Sequence, residues 1–237
     1  MDGNLPLLLW TAASIGLIHT LLGPDHDVPF VALARSRRWS LRRALGVTAV
    51  CGVGHVVGSI ALGALGIGLG WALGHLVAIE ELRGAIAGWL LIGFGLAYTA
   101  WGIRRALRQR PHSHLHAHDD GTMHRHAHDH QAQHAHPHFS LPRRWLGPWT
   151  VFVIFVLGPC EPLIPLLMVP AAARGWAEVA LVALVFALAT IATMLAAVTV
   201  GALGLSRLPA ASTERWSHAL AGGAILVCGL AIQFLGL

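Results

Sequence analysis

Apolar residues gather into six stretches of bilayer length, at Leu5–Leu22, Ala44–Leu73, Gly84–Ile103, Trp149–Val169, Val179–Leu205 and Ala219–Leu237. A helix needs about 20 consecutive apolar residues to cross the hydrocarbon layer, so each stretch reads as a transmembrane span. The first is expected to stay on the chain. It has no basic leader, and ionisable residues stand where a small-residue cleavage site would lie. The fold class predicted is all-α, a polytopic membrane protein of six transmembrane helices.

Two spans are interrupted. Gly23-Pro24-Asp25-His26-Asp27-Val28-Pro29 closes the first, and Gly158-Pro159-Cys160-Glu161-Pro162 lies in the fourth. Proline removes a backbone donor and clashes with the preceding turn, so both spans should break. The interruptions also correspond, with Gly23-Pro24 matching Gly158-Pro159. Gly63-Ala64-Leu65-Gly66 recurs as Gly201-Ala202-Leu203-Gly204, and Ala87-Gly88 with Gly95-Leu96-Ala97 recurs as Ala221-Gly222 with Gly229-Leu230-Ala231. The matches are collinear, at offsets of 134 to 138 residues. Three spans per half is an odd number, so the halves should face opposite ways, as inverted repeats with broken helices one and four. The expected units are residues 1–105, a loop over 106–146, and residues 147–237.

Composition agrees with a bilayer solvent. Of the 237 residues, 55% are hydrophobic and 11% charged. That excludes an ordinary water-soluble enzyme and equally a disordered chain. The net charge of +5 comes from arginines, fourteen of sixteen of them in the first, third and fifth loops. By the positive-inside rule those loops are cytoplasmic and both termini external, in the inner membrane. The basic patches thus read as topological signals, and no nucleic-acid partner is expected. The three cysteines, Cys51, Cys160 and Cys228, lie far apart in apolar stretches and form no disulfide framework.

Ionisable residues at membrane depth are costly and mark functional sites. The candidates are His19, Asp25, His26 and Asp27 in the first half, His55 in span two, and Cys160 and Glu161 in span four. Imidazole with carboxylate suits borderline divalent metals. In a continuous helix His19 and His26 stand about 10 Å apart along the axis, too far to share one ion. The Gly-Pro break can fold the second part back, or the two can be stations along a path. The plainer alternatives are helix-end residues at the interface, an interhelical hydrogen bond for His55, and a small buried residue for Cys160.

The Asp25-His26 segment after His19, the pair Gly54-His55 and the two-by-three span layout resemble the nickel/cobalt transporter superfamily. That resemblance implies that His19, Asp25, His26 and His55 line a metal route. The expected function is then transport of divalent transition metal, Ni²⁺ or Co²⁺ first and Zn²⁺ or Fe²⁺ next, with efflux favoured, no tightly bound cofactor and no enzymatic activity. A homo-oligomer is left open. One alternative is an exporter of a small anion or other solute. Another rests on Gly-Pro-Cys-Glu-Pro, which resembles membrane proteins that pass reducing equivalents across the bilayer to thiol partners, using one cysteine from each half. Here Asp25 occupies the position opposite Cys160.

The third loop carries eleven histidines between His112 and His138, nearly without apolar side chains. No core can form there, so the loop is expected to lack fixed structure and to act as a metal-chelating buffer or sensor.

Overall fold

The computed structural model describes residues 5–108, 112–117, 123–128, 146–158, 160, 162–173, 175–207 and 214–235. Their order is α1 (Leu5–Leu22), α2 (Val28–Ser36), α3 (Leu41–Gly68), α4 (Leu73–Arg108), β1 (His112–Ala117), β2 (Met123–His128), α5 (Leu146–Leu157), α6 (Leu163–Ala173), α7 (Trp176–Ser206) and α8 (Ser217–Leu235).

Among the described residues five helices, α1, α3, α4, α7 and α8, are long and apolar enough to cross a membrane. The fourth sequence-predicted span is instead two pieces, α5 and α6, of 12 and 11 residues. Neither reaches across the hydrocarbon layer alone. The protein is a multi-pass membrane protein whose described spanning elements are all helices. Its outer surface is apolar, with Trp10, Val200 and Leu235 more than 70% exposed, whereas Thr48, Ser59, His55 and Glu80 are buried. Polar groups inside and apolar groups outside are what a lipid solvent selects.

One boundary differs from the sequence reading in a way that matters below. The sequence placed residues 74–83 in a loop, but α4 begins at Leu73 and runs through Glu80 and Arg83. These two charges are neighbours on one helical face and form an ion pair. Pairing at i,i+3 removes most of the cost that a hydropathy window assigns to each charge alone.

Glycine sets the closest contact in the fold. On α4, Gly88, Gly95 and Gly102 recur every seven residues, facing Gln233, Leu226 and Ala219 of α8. From α8, Gly222 and Gly229 face Thr99 and Ile92. The partners run in opposite directions, so the two helices are antiparallel with their backbones nearly touching. In lipid, where apolar side chains gain nothing by hiding from water, such small-residue contacts drive helix association. Elsewhere α1 packs on α7, while α3 packs on α5, α6 and α7.

Outside the helical body, β1 and β2 form an antiparallel hairpin in which His112 pairs with His128, His114 with His126 and His116 with His124. The sequence reading expected no fixed structure there. Histidine at alternate positions is also the period of a strand, and the described backbone takes it. The rest of the His-rich loop lies outside the described residues.

The glycine seam gives a direct test. A Cβ at Gly222 falls 2.4 Å from the Thr99 backbone nitrogen, whereas one at Gly223 meets nothing within 4 Å. Gly222→Val should therefore cost about 1–3 kcal/mol by overpacking. Gly223→Ala should be neutral or stabilise by less than about 1 kcal/mol. Equilibrium unfolding in mixed micelles reads both.

Candidate functional site

The first break is made by three residue choices. The Gly23 amide still donates to His19 O at 3.0 Å, closing the last turn of α1. Pro24 cannot continue the ladder. The His26 amide then turns back to Gly23 O at 3.1 Å, and Val31 N bonds Asp27 O to open α2. Pro29 sits in the first turn of α2, where a missing N–H costs nothing. Gly23 is required because a Cβ there falls 2.4 Å from Nδ1 of His26.

This turn carries His26 back toward His19. Their ring centroids are 5.0 Å apart, and His26 lies 5.4 Å from His55 of α3, both pairs edge to face. The ligand nitrogens of His19, His26 and His55 all lie within 4.8 Å of one another. The folded-back alternative is therefore the observed one. Gly54 lets α5 reach this part of α3, since a Cβ there would meet Val156 at 2.8 Å. The Phe155 ring packs edge-on to His26 at 5.9 Å and tilted against His55 at 5.5 Å.

The outward nitrogens of two rings are anchored. His26 Nδ1 donates to the Asp25 carboxylate at 3.0 Å and to Gly23 O at 3.2 Å. His55 Nδ1 donates to Phe155 O at 3.1 Å. These oxygens can only accept, so each Nδ1 carries a proton, and in the neutral ring Nε2 then presents its lone pair. The Nε2 atoms of His19, His26 and His55 are buried without a hydrogen-bond partner among the described residues. Asp25 and His55, with Phe155 and Gly158, border a cavity of about 20 Å³. Asp27 is half-buried at the start of α2.

The second break is held by the pair missed in the sequence. Glu80 accepts from Arg83 and, through Oε2, from the Cys160 amide at 3.0 Å. Arg83 donates to Val156 O at 2.9 Å, Gly158 O at 3.3 Å and Ser59 Oγ at 3.3 Å. A cation thus meets the carbonyls that end α5, and an anion meets an amide that precedes α6, each favourable to its helix end. The only signal in the sequence was the Glu-x-x-Arg spacing beside an apolar run. Cys160 is fully buried among Ala12, Leu163 and Phe186. Glu161 lies outside the described residues.

Cys228 was also missed as a site residue. Its Sγ donates to Pro24 O at 3.6 Å, which puts a thiol from α8 against the first break. Cys51, Cys160 and Cys228 are all buried and none is in a disulfide.

A multi-pass helical membrane protein with two polar interruptions is the class this geometry defines. Residues 28–231 match the family described as Cytochrome C biogenesis protein transmembrane region. The chain belongs to that family. No curated protein and no solved structure matches it. The match overturns the expected membership of the nickel/cobalt transporter superfamily, and with it the expected transport of nickel, cobalt or other divalent metal. That expectation rested on the Asp25-His26 segment after His19, the pair Gly54-His55 and the two-by-three span layout. The family match begins at Val28, past His19 and His26, and follows nearly all of the remaining chain.

Removing one partner of the buried pair should be severe. Glu80→Ala leaves Arg83 uncompensated and the Cys160 amide unbonded, at a cost of about 3–5 kcal/mol. Glu80→Gln keeps one acceptor oxygen of the two that Arg83 and the Cys160 amide use, so it should cost less than Glu80→Ala. Denaturant titration in detergent distinguishes them.

Proposed function

We propose that the chain carries reducing equivalents across the bilayer to thiol partners, in the service of cytochrome c biogenesis. Family membership over residues 28–231 supports this reading. So does the one observation that supplies its chemistry, a thiol at each broken segment: Cys160 in the break between α5 and α6, and Cys228 against Pro24 in the break between α1 and α2.

In this scheme a dithiol donor on one face reduces the Cys160–Cys228 disulfide. The donor becomes a disulfide, and the carrier gains two electrons and two protons as two thiols. The carrier dithiol then reduces a partner disulfide on the other face and returns to its oxidised form. Attack in each step is by a thiolate on a disulfide sulfur. A residue of each break, Asp25 and Gly158, lines one cavity together with Ile232.

An inverted relation between residues 1–105 and 147–237 belongs to the same proposal. Gly95 faces Leu226 while Gly229 faces Ile92, and α1 packs on α7 while α3 packs on α5 and α6. Such reciprocal exchange is what a two-fold axis produces. The arginine-rich ends then lie in the cytoplasm of an inner-membrane protein, with Arg43 over Trp39, Arg105 over Trp101 and Arg215 over Trp216 as interfacial anchors.

The test uses the protein in sealed vesicles, with a dithiol reductant inside and an impermeant disulfide probe outside. Wild type should reduce the probe, Cys160→Ser and Cys228→Ser should each abolish reduction, and Cys51→Ser should retain it. Retained reduction in both of the first two variants overturns the proposal.

A further inference from the structure

The thiol chemistry leaves the three histidines without a task. Three buried imidazole Nε2 atoms have no hydrogen-bond partner among the described residues, and each ring brings a ligand nitrogen within 4.8 Å of the other two. An unsatisfied buried acceptor costs about 1–3 kcal/mol, so such a cluster is expensive unless something electron-poor sits at its centre. A water molecule supplies two hydrogens and leaves the third nitrogen unsatisfied. A cation satisfies all three at once.

We propose that His19, His26 and His55 form a buried site for one resident divalent transition-metal ion of borderline character, bound through their Nε2 atoms. The donor set selects the class. Three neutral imidazoles suit zinc-like and copper-like ions and disfavour magnesium or calcium, which take oxygen ligands. The outward nitrogens are fixed as metal-binding histidines require, with the Asp25 carboxylate and Gly23 O behind His26 and Phe155 O behind His55. Asp25 also supplies negative charge beside the cation at a depth where water does not.

The geometry is near what a tetrahedral ion needs. Ligands at about 2.1 Å from a metal stand about 3.4 Å from one another. The nitrogens here all lie within 4.8 Å of one another, at the widest about 1.4 Å beyond that spacing. A cavity of about 20 Å³, room for one water, borders Asp25 and His55. The ion is a fixed part of the fold under this inference. Nothing in it requires metal to cross the membrane.

Co²⁺ is the optical probe, because a four-coordinate ion absorbs strongly in the visible. The host is the full-length chain with the eleven histidines between His112 and His138 replaced by serine, so that the loop contributes no donors. It should bind one Co²⁺ per chain with a four-coordinate spectrum. His55→Asn should abolish that spectrum, and Asp25→Asn should weaken binding about 10–100-fold. His26→Cys should keep the ion and add a thiolate-to-metal charge-transfer band that the host, with Cys51, Cys160 and Cys228 in place, lacks. The inference is overturned if the host binds no Co²⁺, if His55→Asn binds as the host does, or if the His26→Cys spectrum lacks the new band.

Discussion

A backbone carbonyl or amide freed from its helix inside a bilayer has no water to turn to, and the rest of this structure is arranged around that cost. Two helices are broken at membrane depth, and each break is closed by buried polar side chains. At the second, Arg83 collects the carbonyls of Val156 and Gly158, while Glu80 takes the amide of Cys160. At the first, Gly23 O receives the His26 amide and ring nitrogen, and Pro24 O receives Val28 N and the Cys228 thiol. Irregular backbone is tolerated at this depth only when protein satisfies it.

The same devices give the protein its chemistry. Satisfying the second break buries a charged pair next to Cys160. Satisfying the first directs His26 at His19 and His55, and places a thiol against the turn. A continuous helix at either position would leave His19 and His26 two turns apart and Cys160 on an ordinary apolar face. The close glycine contact between α4 and α8 supports the arrangement, since both Glu80 and Cys228 ride on those helices.

Much of this was legible in the sequence, for identifiable reasons. Apolar run length gives the helices, and Gly-Pro pairs give both interruptions to within a residue or two. The histidines and Asp25 stand out because ionisable groups are rare in such a chain. What pattern alone missed depends on pairing across helices. Glu80 and Arg83 look like loop residues until their mutual neutralisation is seen, and Cys228 looks like a small apolar residue until α8 is laid beside Pro24. The family was misread for a related reason. A short motif of His and Asp is generated by any buried imidazole cluster, whereas the match over residues 28–231 integrates the whole pattern of spans.

The claim on which everything else stands is that buried side chains, and not lipid or water, satisfy the broken backbone. Hydrogen exchange at the Cys160 amide, measured in lipid nanodiscs for wild type and Glu80→Leu, addresses it most directly. The expected result is slow exchange in wild type and fast exchange in the variant, confined to the break between α5 and α6 while α1 and α2 keep their protection. Equal exchange at Cys160 in the two proteins contradicts it.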